Sequence, residues 1–138
     1  MKIIICGAEE VGFSLARYLA AEDMQVTVID ENSDRLQKIA SSIDVRTLIG
    51  KIFNPNIFKE ANASDTDLLI SVTDNDESNI LACEIAKIIF KVPRTMARIK
   101  EKDLLEEKWF DLFSNDGFKV DNVISPEGEV AKMLARLV

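Results

Sequence analysis

The sequence predicts an α/β fold: a doubly wound parallel sheet of six strands with helices on both faces. Short runs of β-branched and apolar residues alternate with amphipathic helical patterns along the 138 residues. The first run, residues 2–6, is almost unbroken in apolar character, as is typical of a strand buried on both faces of a parallel sheet. A glycine-containing turn joins this run to a helical pattern, which indicates a Rossmann-type arrangement.

The six strands are predicted from short runs rich in β-branched and apolar residues. In chain order they cover residues 2–6, 25–29, 45–49, 67–72, 95–99 and 119–124. Each run is separated from the next by a polar or helical segment, so parallel pairing through right-handed crossovers is expected.

The helices are predicted from apolar residues spaced three and four apart, which place one buried face along each helix. Val11, Leu15, Ala16 and Leu19 form this face in the first helix. Asn and Ser are preferred N-cap residues, and Pro fits the first helical position. The later helices are predicted over residues 33–41, 76–90 and 102–113, with a short helix opened by Asn54 and Pro55 and a last one opened by Ser125.

The composition indicates a globular chain and disfavours several functions. A formal net charge of −7 opposes binding to nucleic-acid phosphates. No apolar run approaches the roughly 20 residues that cross a bilayer, and no signal-peptide pattern is present. The absence of histidine removes the commonest general base and metal ligand. Cys6 and Cys83 are expected to be small buried residues and not a redox pair.

One domain is expected over residues 1–138, because no linker-like Pro, Gly or Ser stretch divides the chain. The last predicted helix reaches Val138 without a glycine or another cap. We therefore expect that the chain is part of a longer protein, or that this helix continues into a contact with a partner.

The turn after the first strand carries the first candidate site. The Rossmann fingerprint is G-x-G-x-x-G between a strand and a helix, followed about 20 residues later by an acid that binds the ribose hydroxyls. Asp30 ends the second strand at that place and would repel the 2′-phosphate of NADP, so NAD or an adenine nucleotide fits better. The six fingerprint positions are occupied by Gly7, Ala8, Glu9, Glu10, Val11 and Gly12.

Glu9 puts a carboxylate where the fingerprint has its middle glycine, whose role is to let pyrophosphate approach bare backbone. Unit charges about 4 Å apart repel by roughly 4 kcal/mol at an effective dielectric of about 20, or on the order of a thousandfold in affinity. A helix N-terminus returns at most about 2 kcal/mol to an anion. The repulsion is avoided if Glu9 caps the helix, turns to solvent, or is bridged to phosphate by a divalent cation, or if the ligand has no phosphate there.

With the loop and Asp30 established, the chain resembles the N-terminal KTN/RCK (TrkA-N) regulatory domain of Trk-type potassium uptake systems. The resemblance covers essentially the whole chain. It rests most specifically on the Thr73–Asn79 segment and the Ser-Pro-Glu turn at residues 125–127, and is supported by residues 1–8, 26–30, 34–36, 97–99 and 123–124.

The resemblance implies a cytoplasmic domain that binds NAD(H), ATP, ADP or AMP at the carboxyl edge of its sheet. It also implies assembly into a homo-oligomer, a dimer or ring, beneath a membrane-embedded potassium transport subunit. Matched by position, Gly7, Ala8 and Gly12 correspond to the phosphate loop, Asp30 to the ribose ligand, Thr73 and Asp76 to the cleft lining, Arg98 to a recurrent arginine on the fifth strand, and Glu127 to a glutamate near a bound cation.

The chain departs from the family pattern at three positions. Glu9 replaces a glycine, Glu10 stands where ATP-responsive members carry a phosphate-binding arginine, and Lys51 stands where an acid near the adenine is usual. Structural roles are the alternatives elsewhere: Thr73 or Asp76 as a helix cap, Arg98 in an ion pair, and Glu127 at a favourable helix start. Trp109 and Phe110 are interpreted as core or subunit-contact residues.

The main functional hypothesis is a regulatory domain for a potassium channel or transporter that does no chemistry on its ligand. A Rossmann interaction domain that has lost nucleotide binding is the alternative that Glu9 raises. A dehydrogenase fragment is disfavoured, because histidine is absent and Tyr18 has Glu22 four residues on in place of a lysine. A phosphate-accepting receiver domain is disfavoured, because Gly50 stands where its acceptor Asp would end the third strand.

Overall fold

The strands form where the sequence is richest in β-branched and apolar residues. The structure is a computed structural model, and it describes residues 1–124. The strands are β1 (Lys2–Cys6), β2 (Gln25–Asp30), β3 (Arg46–Ile49), β4 (Leu68–Ser71), β5 (Arg94–Arg98) and β6 (Asn122–Ile124). The helices are α1 (Glu10–Ala21), α2 (Ser33–Ala40), α3 (Pro55–Glu60) and α4 (Asp76–Ile88), with 3₁₀ segments at Ala63–Asp65, Lys102–Leu105 and Glu107–Phe113.

The strand order is β3-β2-β1-β4-β5-β6, with parallel pairing throughout. The predicted six-strand parallel sheet is therefore confirmed. The chain first moves outward from β1 to β2 and β3, then returns to β4 on the other side of β1. The carboxyl ends of β1 and β4 thus flank the point where the strand order reverses, which is where open α/β sheets bind ligands.

The core has two layers, because alternate side chains of each strand point to opposite faces. On one face Ile3 and Ile5 pack with Leu15 of α1 and Leu36 of α2. The opposite layer holds Ile4, Cys6, Phe58 of α3 and Ala82, Cys83 and Ala86 of α4. Helices thus cover both faces, as predicted.

The segment predicted as one helix over residues 102–113 instead forms two 3₁₀ segments. Between them Glu106 has extended backbone angles, φ −68° and ψ 142°. Neither segment contains a buried residue, and Trp109 and Phe110 are 50% and 66% exposed. The apolar spacing predicted an α-helix, but this face packs too little against the sheet to stabilise one.

The last strand is also shorter than the predicted run 119–124. Before Asn122 the contacts with β5 are partly made by side chains: the Thr95 hydroxyl donates to the Lys119 carbonyl at 2.5 Å, and the Thr95 N–H donates to the Asp121 carboxylate at 2.9 Å. The Asp121 N–H still donates to the Thr95 carbonyl at 3.0 Å. The predicted last helix and Glu127 lie outside the described residues. Within residues 1–124 there is no helix with the length and apolar character needed to span a membrane.

Candidate functional site

The predicted loop and Asp30 meet in a cleft of about 200 Å³ at the carboxyl ends of β1, β2 and β4. Its lining includes Gly7, Glu9, Asp30, Glu31, Arg35, Phe53, Thr73 and Asp74. A larger cavity of about 490 Å³ lies at the amino edge of the sheet, around residues such as Lys2 and Arg46. None of the predicted site residues within residues 1–124 lines that cavity. The chemistry therefore points to the smaller cleft.

Two glycines shape the turn over this cleft. Gly7 has φ +113°, and its N–H donates to the Ile29 carbonyl at 2.8 Å. A Cβ at Gly7 would lie 3.1 Å from Thr73 Cγ2, while a Cβ at Gly12 would lie only 1.8 Å from the Gly7 carbonyl oxygen. Both positions require glycine for the turn and for the close approach of α1, as the fingerprint predicts.

Asp30 is only 5% exposed and ties the loop to β2. Its Oδ2 accepts the Ala8 N–H at 2.7 Å, and its Oδ1 accepts the Asn32 N–H at 2.8 Å. Each carboxylate oxygen can accept a further bond, so these contacts leave capacity for a ribose hydroxyl. Asp30 thus has a structural role in holding the loop, and its ligand role stays a prediction.

Glu9 is the N-cap residue of α1, but its side chain makes no capping hydrogen bond. Its Oε1 lies 3.2 Å from Arg35 Nη1, and the two side chains are 38% and 45% exposed. The same Arg35 nitrogen lies 3.7 Å from Asp30 Oδ1. Capping by the Glu9 side chain is therefore not observed, and an arginine from α2 takes its carboxylate instead.

This pairing revises the electrostatic argument made from the sequence. Interactions between partly exposed charges are screened and are typically worth only about 0.2–1 kcal/mol. Because Glu9 is partly exposed and paired with Arg35, its repulsion of a phosphate is well below the roughly 4 kcal/mol of the unpaired case. Sequence reasoning missed Arg35 as a site residue, although the family-like segment at residues 34–36 contains it.

Asp74 faces Glu9 from the loop after β4. Glu9, as a hydrogen-bonding partner, and then Lys100 are the largest causes that lower the pKa of Asp74. The Asp74 carboxylate lies 3.2 Å from Arg98 Nη1 and 3.5 Å from Lys100 Nζ. A chain of charged side chains therefore crosses the mouth of the cleft from α2 to the end of β5. We call Arg35, Glu9, Asp74, Arg98 and Lys100 the charge chain.

Asn79 holds the loop after β4 in place and was missed by sequence reasoning. Its Oδ1 accepts hydrogen bonds from Ser71 Oγ at 3.0 Å, Thr73 N–H at 3.0 Å and Thr73 Oγ1 at 2.6 Å. Its Nδ2 donates to the carbonyls of Thr73 at 3.0 Å and Arg98 at 2.9 Å. A signal was present, since this asparagine shares the buried stripe of α4 with Ala82, Cys83 and Ala86.

Asp76 does not line the cleft. Its two oxygens accept the N–H groups of Lys100 and Glu101, each at 2.9 Å. The cap of α4 is Asn75, which accepts the Ser78 N–H at 2.7 Å, so the alternative of a cap at Thr73 or Asp76 is wrong. Asp76 instead fixes the turn after β5.

Arg98, Lys51 and Glu10 occupy different surroundings. Arg98 is 8% exposed and forms the ion pair with Asp74, as its structural alternative predicts. Lys51 is exposed and lies over the Phe53 ring, 5.7 Å from its centroid, while its neighbours Ile52 and Phe53 line the cleft. Glu10 borders an adjoining groove between α1 and α2. Val11 packs against the core below the loop.

The two cysteines are part of the buried core and do not line the cleft. Cys6 and Cys83 are free and buried, and burial raises the pKa of each thiol well above its ordinary value. Within residues 1–124, no group of three or more Cys, Asp or Glu side chains is arranged to hold a metal ion. The expected burial of both cysteines is confirmed.

The parallel sheet, its switch point and the glycine turn define a Rossmann-type domain. A family model described as the TrkA-N domain matches residues 3–126. The chain is 40% identical over 138 residues to the Trk system potassium uptake protein TrkA of Vibrio alginolyticus, and 39% identical over 136 residues to that of Azorhizobium caulinodans. The chain belongs to the TrkA-N family. The match to the Vibrio protein includes 100% of this chain, and the match to the Azorhizobium protein includes 99% of it. The chain spans only 30% of the length of each relative.

Solved structures agree on the fold. The TrkA-N domain of the inner membrane protein ybaL from Escherichia coli superposes with a TM-score of 0.75 at 22% identity, covering 99% of this chain and 96% of that one. The GsuK channel bound to NAD superposes with a TM-score of 0.71 at 16% identity, covering 99% of this chain and 22% of that one. At these identities the likeness concerns the fold alone.

Proposed function

We propose that this domain is the nucleotide-sensing part of a regulatory protein for potassium uptake. The observation that carries the proposal is the cleft beneath the Gly7 turn, with buried Asp30 at its side. The potassium uptake proteins named above support the physiological role, and the NAD-bound GsuK channel supports the ligand class. The domain would bind its ligand without transforming it, so we propose no enzymatic activity.

The charge of the cleft favours NAD(H) over ATP. Four acidic side chains and one basic side chain line it: Glu9, Asp30, Glu31, Asp74 and Arg35. NAD⁺ has the smallest negative charge among the candidate nucleotides and ATP the largest, so repulsion penalises ATP most. ADP and AMP fall between these limits. A divalent cation that accompanies the phosphates would reduce this penalty for ATP.

The proposed signal is a change in the distance between the two sides of the cleft. The glycine turn lies on one side and the Thr73–Asn75 loop on the other, and the charge chain joins them. A ligand shifts such an equilibrium only by the difference in its affinity for the two states. A nucleotide that contacts both sides would therefore favour one separation over the other.

Exposed apolar side chains on α4 and on the 3₁₀ segments support the proposal that the domain assembles with further copies of itself. Leu81 and Ile88 on α4 are 46% and 54% exposed, and the 3₁₀ segments add Leu105, Trp109 and Phe110. Large exposed apolar side chains of this kind commonly mark interaction surfaces. The proposed location is the cytoplasmic face of the membrane, where the oligomer would contact a membrane-embedded potassium transport subunit.

A Rossmann interaction domain that has lost its ligand is the second candidate. The charge chain favours it, because the protein's own side chains already occupy the mouth of the cleft. The two candidates make opposite predictions for nucleotide binding, while both keep the fold and the assembly.

Isothermal titration calorimetry separates the candidates. We would titrate NAD⁺, NADH, ATP, ADP and AMP with and without Mg²⁺, and compare Asp30→Asn with the exposed control Asp34→Asn. Saturable binding below about millimolar is expected for NAD(H), weakened by Asp30→Asn but not by the control, since ~1 mM corresponds to only about 4 kcal/mol. Absence of saturable binding for every nucleotide would contradict the sensing function.

A further inference from the structure

The Glu9–Arg35 ion pair lies at the junction of two spaces. Both residues line the nucleotide cleft, and both also line a groove of about 760 Å³ between α1 and α2. Arg17 and Lys38 line the same groove, so cations from two helices converge near the glycine turn. Of these cations, Arg35 is the one that lines both spaces, so an anion in either space can pair with it.

The Glu9 carboxylate makes no hydrogen bond to α1 that would fix its position. The helix is closed through the Glu9 carbonyl, which accepts the Phe13 N–H at 2.8 Å, and the side chain makes no cap bond. Its oxygen lies 3.2 Å from Arg35 Nη1, which is within the range of an ion pair. Glu9 thus marks where Arg35 holds an anion beside the cleft.

We propose that Glu9 is a tethered anion that occupies Arg35, and that a nucleotide phosphate displaces it and takes Arg35 as its counterion. This inference rests on the proposed function, because it requires a nucleotide in the cleft. It assigns phosphate binding to Arg35 and assigns to Glu9 the control of affinity for phosphate-bearing ligands.

The exchange is physically accessible. Both side chains are partly exposed, so water screens their attraction and the pair opens at small cost. Arg35 also lies 3.7 Å from the buried Asp30 carboxylate, which keeps the guanidinium group near the cleft after Glu9 leaves.

The test compares ligands with and without phosphate. Adenosine has no phosphate and does not need to displace Glu9, whereas ADP and NAD⁺ do. We would measure the affinity of adenosine, ADP and NAD⁺ by calorimetry for the full chain and for Glu9→Gln, Arg35→Gln and Arg35→Lys. Glu22→Gln is the matched control, because it removes the same charge at the opposite, exposed end of α1.

The expected pattern is specific to phosphate. Glu9→Gln should tighten ADP and NAD⁺ binding by about three- to fivefold, as expected for a screened pair, and change adenosine binding by less than about twofold. Arg35→Gln should weaken ADP and NAD⁺ by about fivefold or more, and Arg35→Lys should recover part of that loss. Glu22→Gln should leave all three affinities unchanged. Thermal unfolding of each variant verifies that it is folded.

Three results would overturn the inference while leaving nucleotide sensing intact: equal effects of Glu9→Gln and Glu22→Gln, an equal gain for adenosine and ADP, or unchanged ADP affinity in Arg35→Gln. No binding of any ligand to the parent chain or to Glu9→Gln would overturn both the inference and the proposed function. The two failures are therefore distinguishable.

Discussion

At the scale of single residues, the shape of the cleft depends on the lack of a side chain at Gly12 and on the ion pair of Glu9 with Arg35. The hydrogen of Gly12 lies against the Gly7 carbonyl, where a methyl group would come within 1.8 Å of the oxygen. The neighbouring Glu9 carboxylate, by contrast, fits because Arg35 of another helix receives it. Position 12 therefore accepts only a residue without a side chain, whereas position 9 accepts a carboxylate because Arg35 is nearby.

Gly12→Ala should lower the free energy of unfolding by about 3 kcal/mol, the upper end of the usual cost of over-packing, because the clash is with backbone. Urea unfolding measures this change. Ser14→Ala adds the same residue type to the exposed side of α1 and should change stability by less than about 0.5 kcal/mol. Equal stability of Gly12→Ala and the parent chain would show that α1 does not approach the turn this closely.

The two buried thiols predict a loss of stability at alkaline pH. Burial raises the pKa of Cys6 and Cys83 from the ordinary 9.0, so above that pH the unfolded chain releases protons that the folded chain retains. The free energy of unfolding then falls as pH rises, because the unfolded state binds fewer protons. Urea unfolding at pH 7 and pH 10 tests this, with Cys83→Ala as the comparison.

The same thiols should react with a thiol reagent only after denaturation, since both side chains are fully buried. Rapid labelling of the native protein at either cysteine would contradict the described packing.

At the scale of elements, the Asn79 side chain of α4 connects β4, the loop that follows it and β5. Asn79 of α4 bonds the end of β4 through Ser71, the following loop through Thr73, and the end of β5 through the Arg98 carbonyl. The loop it holds forms one side of the nucleotide cleft. The rigidity of that side therefore originates inside the core and not at the cleft surface.

Asn79→Ala should destabilise the chain by about 2–4 kcal/mol, because it leaves several buried polar groups without partners. Amide hydrogen exchange should increase most at residues 71–75 and 98–99. Glu77→Ala, on the exposed side of the same turn, should cost no more than about 1 kcal/mol. Unchanged exchange in the loop would show that other contacts hold it.

At the scale of the whole molecule, the exposed apolar side chains of α4 and of the 3₁₀ segments, Leu81, Ile88, Leu105, Trp109 and Phe110, predict assembly. Replacing Trp109 and Phe110 by Ser should reduce the average mass measured by light scattering without lowering monomer stability, since both side chains are exposed. An unchanged mass would exclude these residues from the contact. Replacement of exposed Tyr18 on α1 is the control.

The fold was largely predictable because its determinants are local. The apolar strand at residues 2–6, the glycine turn and Asp30 can each be recognised from a few neighbouring residues. The observed sheet confirms the predicted strand arrangement. The features that were missed join distant parts of the chain: Arg35 meets Glu9 across two helices, and Asn79 meets the Arg98 carbonyl. The prediction of one helix over residues 102–113 was wrong for a related reason. The spacing of apolar residues predicts an apolar face, but it does not show whether another part of the chain packs against that face.

The central claim is that a nucleotide binds beneath the Gly7 turn, and amide NMR shifts during an NAD⁺ titration test it most directly. Saturable shifts are predicted at Ala8, Asn32 and Asp74, whose backbones border the cleft or bond to Asp30. The amides around Lys2 and Arg46, at the opposite edge of the sheet, should not shift. No saturable shift, or shifts confined to that opposite edge, would contradict the account.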